Sequence, residues 1–70
     1  MTTDVEVYIN GVPEIVPEQS TIFHLIERFK EAEWHIIVER NGRCIYPEKY
    51  STTLVSAGDR IEFIQPAFGG

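Results

Sequence analysis

The sequence predicts an α+β fold in which one helix packs on one face of a four- to five-stranded mixed sheet. Three observations predict it. Two Asn-Gly dipeptides, Asn10-Gly11 and Asn41-Gly42, each sit between apolar, β-branched segments, as the turns of two-residue hairpins do. The stretch between the two hairpins carries apolar residues at helical spacing. A last alternating segment follows the second hairpin, so the order is hairpin, helix, hairpin, final strand.

Asp4 to Ile9 alternates strictly, with Val5, Val7 and Ile9 on one face and Asp4, Glu6 and Tyr8 on the other, the pattern of a half-buried strand. Asn10-Gly11 supplies the positive φ angles of a type I′ turn. Val12 to Val16 is the return strand, and Pro13, which cannot donate to a ladder, puts it at a sheet edge. Pro17-Glu18-Gln19 reads as a linker, and Ser20 or Thr21 caps the helix. Ile22, Leu25, Ile26 and Phe29 fall at i, i+3, i+4 and i+7 and make one apolar stripe. His24, Glu27, Arg28, Lys30 and Glu31 fill the other face, and the helix is expected to fade near Ala32.

His35 to Arg40 is a strand by β-branched content. Asn41-Gly42 turns it into a short return strand, Arg43 to Tyr46, which Pro47 stops. Glu48 to Thr53 is irregular, and Leu54 and Val55 are apolar anchors before a turn at Ala57-Gly58-Asp59. Arg60 to Gln65 is the last strand, with Ile61 and Phe63 facing one way. A helix between two strands of one sheet implies a right-handed crossover. This is the β-grasp, or ubiquitin-like, architecture. Its expected core is Val5, Val7, Ile9, Ile22, Leu25, Ile26, Phe29, Ile36, Val38, Leu54, Ile61 and Phe63. Residues 1–65 are expected to form this domain and residues 66–70 a flexible C-terminal tail.

The chain has 70 residues, enough for one small domain and too few for a deep pocket beside a core. Its formal charge of −5 argues against nucleic acid and against an anionic membrane surface, and favours a partner with a basic docking face. One cysteine excludes an intramolecular disulfide and points to a reducing, intracellular setting. The N-terminus lacks the basic and apolar regions of a secretory signal, and no apolar run approaches the ~18 residues that span a bilayer. A cytoplasmic location follows as the expectation.

The chain closes on Gly69-Gly70. Glycine fits a narrow channel and accepts backbone angles closed to other residues. A carboxylate on such a tail can be threaded into another enzyme's active site and activated there, which makes the Gly70 carboxylate the candidate reactive group. Pro66, Ala67, Phe68 and Gly69 are the residues that would thread.

Three further features join this ending: Val38-Glu39-Arg40-Asn41-Gly42; Ile45-Tyr46-Pro47-Glu48 with Tyr50; and Gly58-Asp59-Arg60-Ile61-Glu62-Phe63 shortly before the glycines. Together they resemble the ThiS/MoaD family of prokaryotic sulfur carriers over essentially the whole chain. The short length and the Asn-Gly…Pro-x-x-Tyr stretch look most like the ThiS branch, which serves the thiazole of thiamin. Pro66 partly echoes the MoaD branch, and Phe68 departs from both, which usually carry a smaller residue before the glycines.

The resemblance implies that a ThiF-like adenylyltransferase activates Gly70 with ATP and Mg²⁺, neither of which this chain binds. Sulfur from a persulfide donor then replaces AMP and leaves a thiocarboxylate. A thiazole synthase, or the large subunit of molybdopterin synthase, would accept that sulfur. The chain is then a protein co-substrate and not an enzyme. No phosphate-cradling glycine loop is visible, in keeping with ATP binding to the partner.

Other candidates read as structural. Cys44 has no histidine nearby in sequence and reads as a structural cysteine more readily than as a nucleophile or persulfide acceptor. His24 and His35 lack metal-site spacing and read as surface histidines. Glu27, Glu31 and Glu33 read as a solvated face, with a dock for a basic partner as the alternative. If the core residues point to the helix, Tyr8, Ile37 and Ile64 point away, with Glu62 between them, and form a candidate partner-binding surface. Alternatives of other kinds are a carrier for molybdopterin, cysteine, homocysteine or tRNA thiolation, a ubiquitin-like modifier joined to lysines, and a plain interaction module.

Overall fold

A computed structural model describes residues 3–29 and 36–65. The elements are β1 (Asp4–Ile9), β2 (Val12–Pro17), α1 (Ile22–Arg28), β3 (Ile37–Arg40), β4 (Arg43–Ile45), a 3-10 turn (Pro47–Lys49) and β5 (Arg60–Ile64). They build one five-stranded sheet in the order β2-β1-β5-β3-β4. β1 and β5 are parallel, and the other neighbouring pairs are antiparallel. The expected β-grasp arrangement is thus the one observed, with β2 at an edge as Pro13 requires.

Both Asn-Gly turns form, with Asn10, Gly11, Asn41 and Gly42 all at positive φ. Their asparagine side chains do more than turn the chain. Asn41 Oδ1 accepts from the Arg60 N–H at 2.9 Å, and Asn10 Oδ1 accepts from the Phe63 N–H at 2.8 Å. The two hairpin turns therefore each hold β5, one at its start and one near its end.

α1 has 7 residues and is about 10 Å long, too short to be stable alone. Thr21, not Ser20, is the cap: its Oγ1 accepts from the His24 N–H, while its own N–H donates to His24 Nδ1. The Ile22 and Phe23 N–H groups donate to the Thr53 and Tyr50 carbonyls at 3.0 Å each. The 47–53 segment is therefore the far half of the helix cap, which explains why it holds a 3-10 turn where irregular structure was expected. The helix ends at Arg28, with Phe29 as its C-cap, and Ala32 lies outside the described residues.

The core contains Val7, Ile9, Ile22, Leu25, Ile26, Ile36, Val38, Ile61 and Phe63, as expected, with Val5 and Phe29 partly buried against it. Leu54 is a correction: it is 51% exposed and Val55 is buried in its place. The Thr21–Leu54 bridge keeps this segment extended, so adjacent side chains point to opposite sides and only one can face inward. Val16 and Tyr50 also complete the core. Pro17, expected in a linker, is the last residue of β2, paired with Asp4.

Asp59 is one of two buried polar residues among those described, and three donors converge on it. Ser56 N–H donates to Oδ2 at 2.7 Å, Arg40 Nε to Oδ2 at 2.8 Å, and Asn41 Nδ2 to Oδ1 at 3.1 Å. Burial pushes the Asp59 carboxyl up, but the Ser56, Arg40 and Asn41 bonds outweigh it and hold the group below its ordinary 3.8. A folded value below the unfolded one stabilises the protein fully above the unfolded value. That contribution is lost as pH falls below about 3.8 toward the folded value. Asp59→Asn turns an amide N–H toward donors and is expected to cost about 1–3 kcal/mol at neutral pH. Urea unfolding of both proteins from pH 7 to pH 3 should show the gap closing at the acid end.

Candidate functional site

The helix covers one face of the sheet, and β-strand alternation sends every second side chain to the other. That uncovered face can be read from the register. Tyr8 lies opposite Arg60 and Pro13, Glu6 opposite Ile15, Glu39 opposite Glu62 and Cys44, and Ile37 opposite Ile64. Tyr8, Ile37 and Ile64 are 36%, 41% and 39% exposed.

The four residues singled out from sequence thus share one face, but in two groups. Ile37 and Ile64 are direct cross-strand neighbours on β3 and β5. Tyr8 sits on β1 at the level of Arg60, four residues or about 13 Å along the strand from Ile64. Glu62 lies between the groups. Two exposed apolar residues extend the face beyond the sequence expectation. Ile15 joins Tyr8 from β2, and Tyr46 continues the β4 alternation beside the Ile37 end. Counting outward from the Asn10-Gly11 turn would have placed Ile15 opposite Glu6, so that signal was present in the sequence.

A depression of about 420 Å³ opens at the Tyr8 end, lined by Tyr8, Gly11, Gly58, Arg60, Ile61 and Glu62. No acid–base or nucleophile–base pair lines it. Among the described residues no group of three His, Cys, Asp or Glu could hold a metal ion, and no helix is long and apolar enough to cross a membrane. Cys44, read from sequence as structural and not as a nucleophile or persulfide acceptor, is exposed on β4. His24 is exposed and serves the helix cap, and His35 lies outside the described residues. Tyr50 is buried in the core, and burial, then the nearby Cys44, pushes its phenol above the ordinary 10.0. Pro66, Ala67, Phe68, Gly69 and Gly70 lie outside the described residues.

Glu39 and Glu62 face each other directly across β3 and β5, an arrangement that destabilises a sheet. Two like charges set between exposed apolar groups suit a face that meets another surface better than one optimised for stability.

Comparison with known proteins gives a consistent picture. The ThiS family model matches residues 4–70. The crystal structure of the thiamine biosynthesis protein ThiS from Geobacter metallireducens superposes with a TM-score of 0.83. It is 30% identical to this chain, over 94% of this chain and 100% of the other. Comparison with curated proteins gave no match.

Relief of the like-charge pair should be measurable. Glu62→Gln is expected to raise stability by roughly 0.2–1 kcal/mol in chemical denaturation at low salt, and by less at 1 M salt.

Proposed function

The chain belongs to the ThiS family, and from that premise we propose that it is a sulfur carrier for thiamin thiazole biosynthesis whose Gly70 carboxylate is the group that carries sulfur. The observation that supports this most is the match of the family model through residue 70, so that it includes the Gly69-Gly70 ending.

The chemistry follows from what a carboxylate lacks. It is a poor electrophile until one oxygen becomes a good leaving group. A partner adenylyltransferase uses ATP and Mg²⁺ to join Gly70 to AMP with release of pyrophosphate. The terminal sulfur of a protein persulfide then attacks the acyl carbon and AMP leaves. A thiol attacks the donor's sulfur in the resulting acyl disulfide, forms a disulfide with the donor and releases the thiocarboxylate. That group is a covalently held sulfide equivalent, which a thiazole synthase consumes. In this reading the carrier supplies no general acid or base, and its terminus is the co-substrate.

In this reading the uncovered face docks the partner and the tail reaches the partner's active site. Ile37, Ile64 and Tyr8 supply apolar contact, and Glu62 meets a basic residue of the partner. Phe68 enters the partner's channel and so bears on which partner is accepted. The same chemistry in molybdopterin or other thiolation would need a different acceptor, and co-purification with a thiazole synthase or with a molybdopterin synthase large subunit decides between them.

Intact mass spectrometry after incubation with ATP, Mg²⁺, a ThiF-like adenylyltransferase and a persulfide source provides the test. An oxygen-for-sulfur gain that maps to Gly70 and vanishes on deletion of Gly70 is expected; the deletion control matters because oxidation of Met1 or Cys44 adds nearly the same mass. No gain with several activating enzymes would sink the carrier reading. Adducts on partner lysines that survive reductant would instead identify a modifier. Ile64→Lys should weaken binding of the adenylyltransferase while leaving the thermal midpoint within a few degrees.

A further inference from the structure

Charge is distributed unevenly over this sheet. Between residues 1 and 27 there are five acids and no lysine or arginine. Four of these acids, Asp4, Glu6, Glu14 and Glu18, lie on or beside β1 and β2, at one edge. At the opposite edge, Arg40, Arg43 and Lys49, half of the chain's six cationic side chains, line one depression of about 290 Å³ with Cys44, Ile45, Tyr46 and Thr53, while the acids of that edge, Glu48 of the 3-10 turn and Glu39 opposite Cys44, lie outside its lining.

The three cations are not equivalent. Arg40 is held by Asp59 through its Nε, so its charge is partly neutralised and its position fixed. Arg43 and Lys49 are exposed on flexible stems, and the Lys49 contacts that shape the 47–53 segment are all made by its backbone. Three such side chains do not make the rigid, convergent donor set that captures a small anion. They suit a strip of carboxylates that can adjust to them.

The backbone adds a second element. In a two-residue hairpin the closing pair, Arg40–Arg43, is hydrogen-bonded, and so is Val38–Ile45 two residues on. The N–H and C=O of Cys44 therefore point away from β3, along an edge that no other strand pairs with among the described residues. The β2 edge carries Pro13 and Pro17, which cannot donate, whereas β4 contains no proline. Tyr46, 67% exposed, offers an aromatic surface beside the cations.

We propose that the β4 edge is a second docking site, which takes an extended acidic segment of a partner protein, its carboxylates on Arg43 and Lys49 and its main chain on Cys44. Opposite charges at the two edges then orient the partner: a basic region beside β1–β2 and an acidic segment along β4. A long polyanion such as nucleic acid is disfavoured by the net charge of −5.

The test uses the full chain, labelled with ¹⁵N, titrated with octaglutamate at low salt. Amide shifts confined to Arg43, Cys44, Tyr46, Lys49 and Thr53 are expected, and they should vanish in Arg43→Glu/Lys49→Glu and in 0.5 M salt. Absent shifts, or equal shifts around Arg28 and Arg60, overturn the proposal. Inorganic phosphate that saturates the same amides and blocks the peptide also overturns it, by showing a small-anion site. A second arm rests on the carrier reading: in adenylation by the ThiF-like enzyme, the double variant should raise KM roughly 10-fold at low salt with kcat unchanged. An unchanged KM for both this enzyme and the synthase would remove the edge from docking. If wild-type protein is not adenylated at all, the carrier reading fails, and the peptide arm alone decides the edge.

Discussion

The buried Asp59 carboxylate is the joint on which this small structure turns. Its oxygens gather the Ser56 N–H from the turn before β5, the Arg40 guanidinium from the end of β3 and the Asn41 amide from the second hairpin. The Asp59 carbonyl accepts from the Tyr8 N–H of β1 at 2.9 Å. One residue therefore fixes β1, β3 and β5 relative to each other at the end where β5 begins. The pair with Arg40 is not a surface ion pair of negligible worth, because the Asp59 side chain is 8% exposed and its other bonds satisfy it. Removing a partner would leave a buried polar group unmet, which costs more than making the bond gains.

β5 is the beneficiary. It is the strand that leads into the Gly-Gly ending, and it lies at the centre of the sheet between β1 and β3. Asn41 holds its first N–H and Asn10 holds that of Phe63. Both hairpins thus spend a side chain on the strand that precedes the tail. The contrast with the uncovered face is physical. There the groups are not satisfied within the chain: apolar residues are exposed, and Glu39 faces Glu62. A chain of this size has little stability to spare, which supports the docking role proposed for this face.

Much of this was legible in the sequence because it rests on local chemistry. Alternation gave β1 and β5, the Asn-Gly dipeptides gave both turns, helical spacing gave α1, and Pro13 gave the edge. What was hidden depends on partners far apart in the chain. Asn10 reads as a turn residue, and nothing local says that its side chain serves Phe63, 53 positions on. Asp59 reads as a turn former, and its burial comes from Arg40 and Asn41 arriving from another hairpin. Leu54 and Val55 are equally apolar, so only the bridge to Thr21 decides which one faces inward. The exposure of Cys44 follows from its pairing with Glu39 on the uncovered face, which needs the register of β3 against β4.

The division of labour follows from size. Among the described residues a dozen apolar side chains fill the interior, and a domain this small buries little beyond such a core. Under the proposed carrier role, the chemistry is done on this chain, at a group that reaches another protein's site. The proposed recognition surface is the far face of the sheet with its two edges, which the helix leaves uncovered. The apolar residues there supply contact area, which is non-directional. Direction has to come from something polar and asymmetric, and an acidic β1–β2 edge facing away from a basic β4 edge supplies it. Apolar contact alone would let a partner slide along the sheet. Opposite charges at the two edges allow one orientation, and with it one position for the strand that leads to the tail.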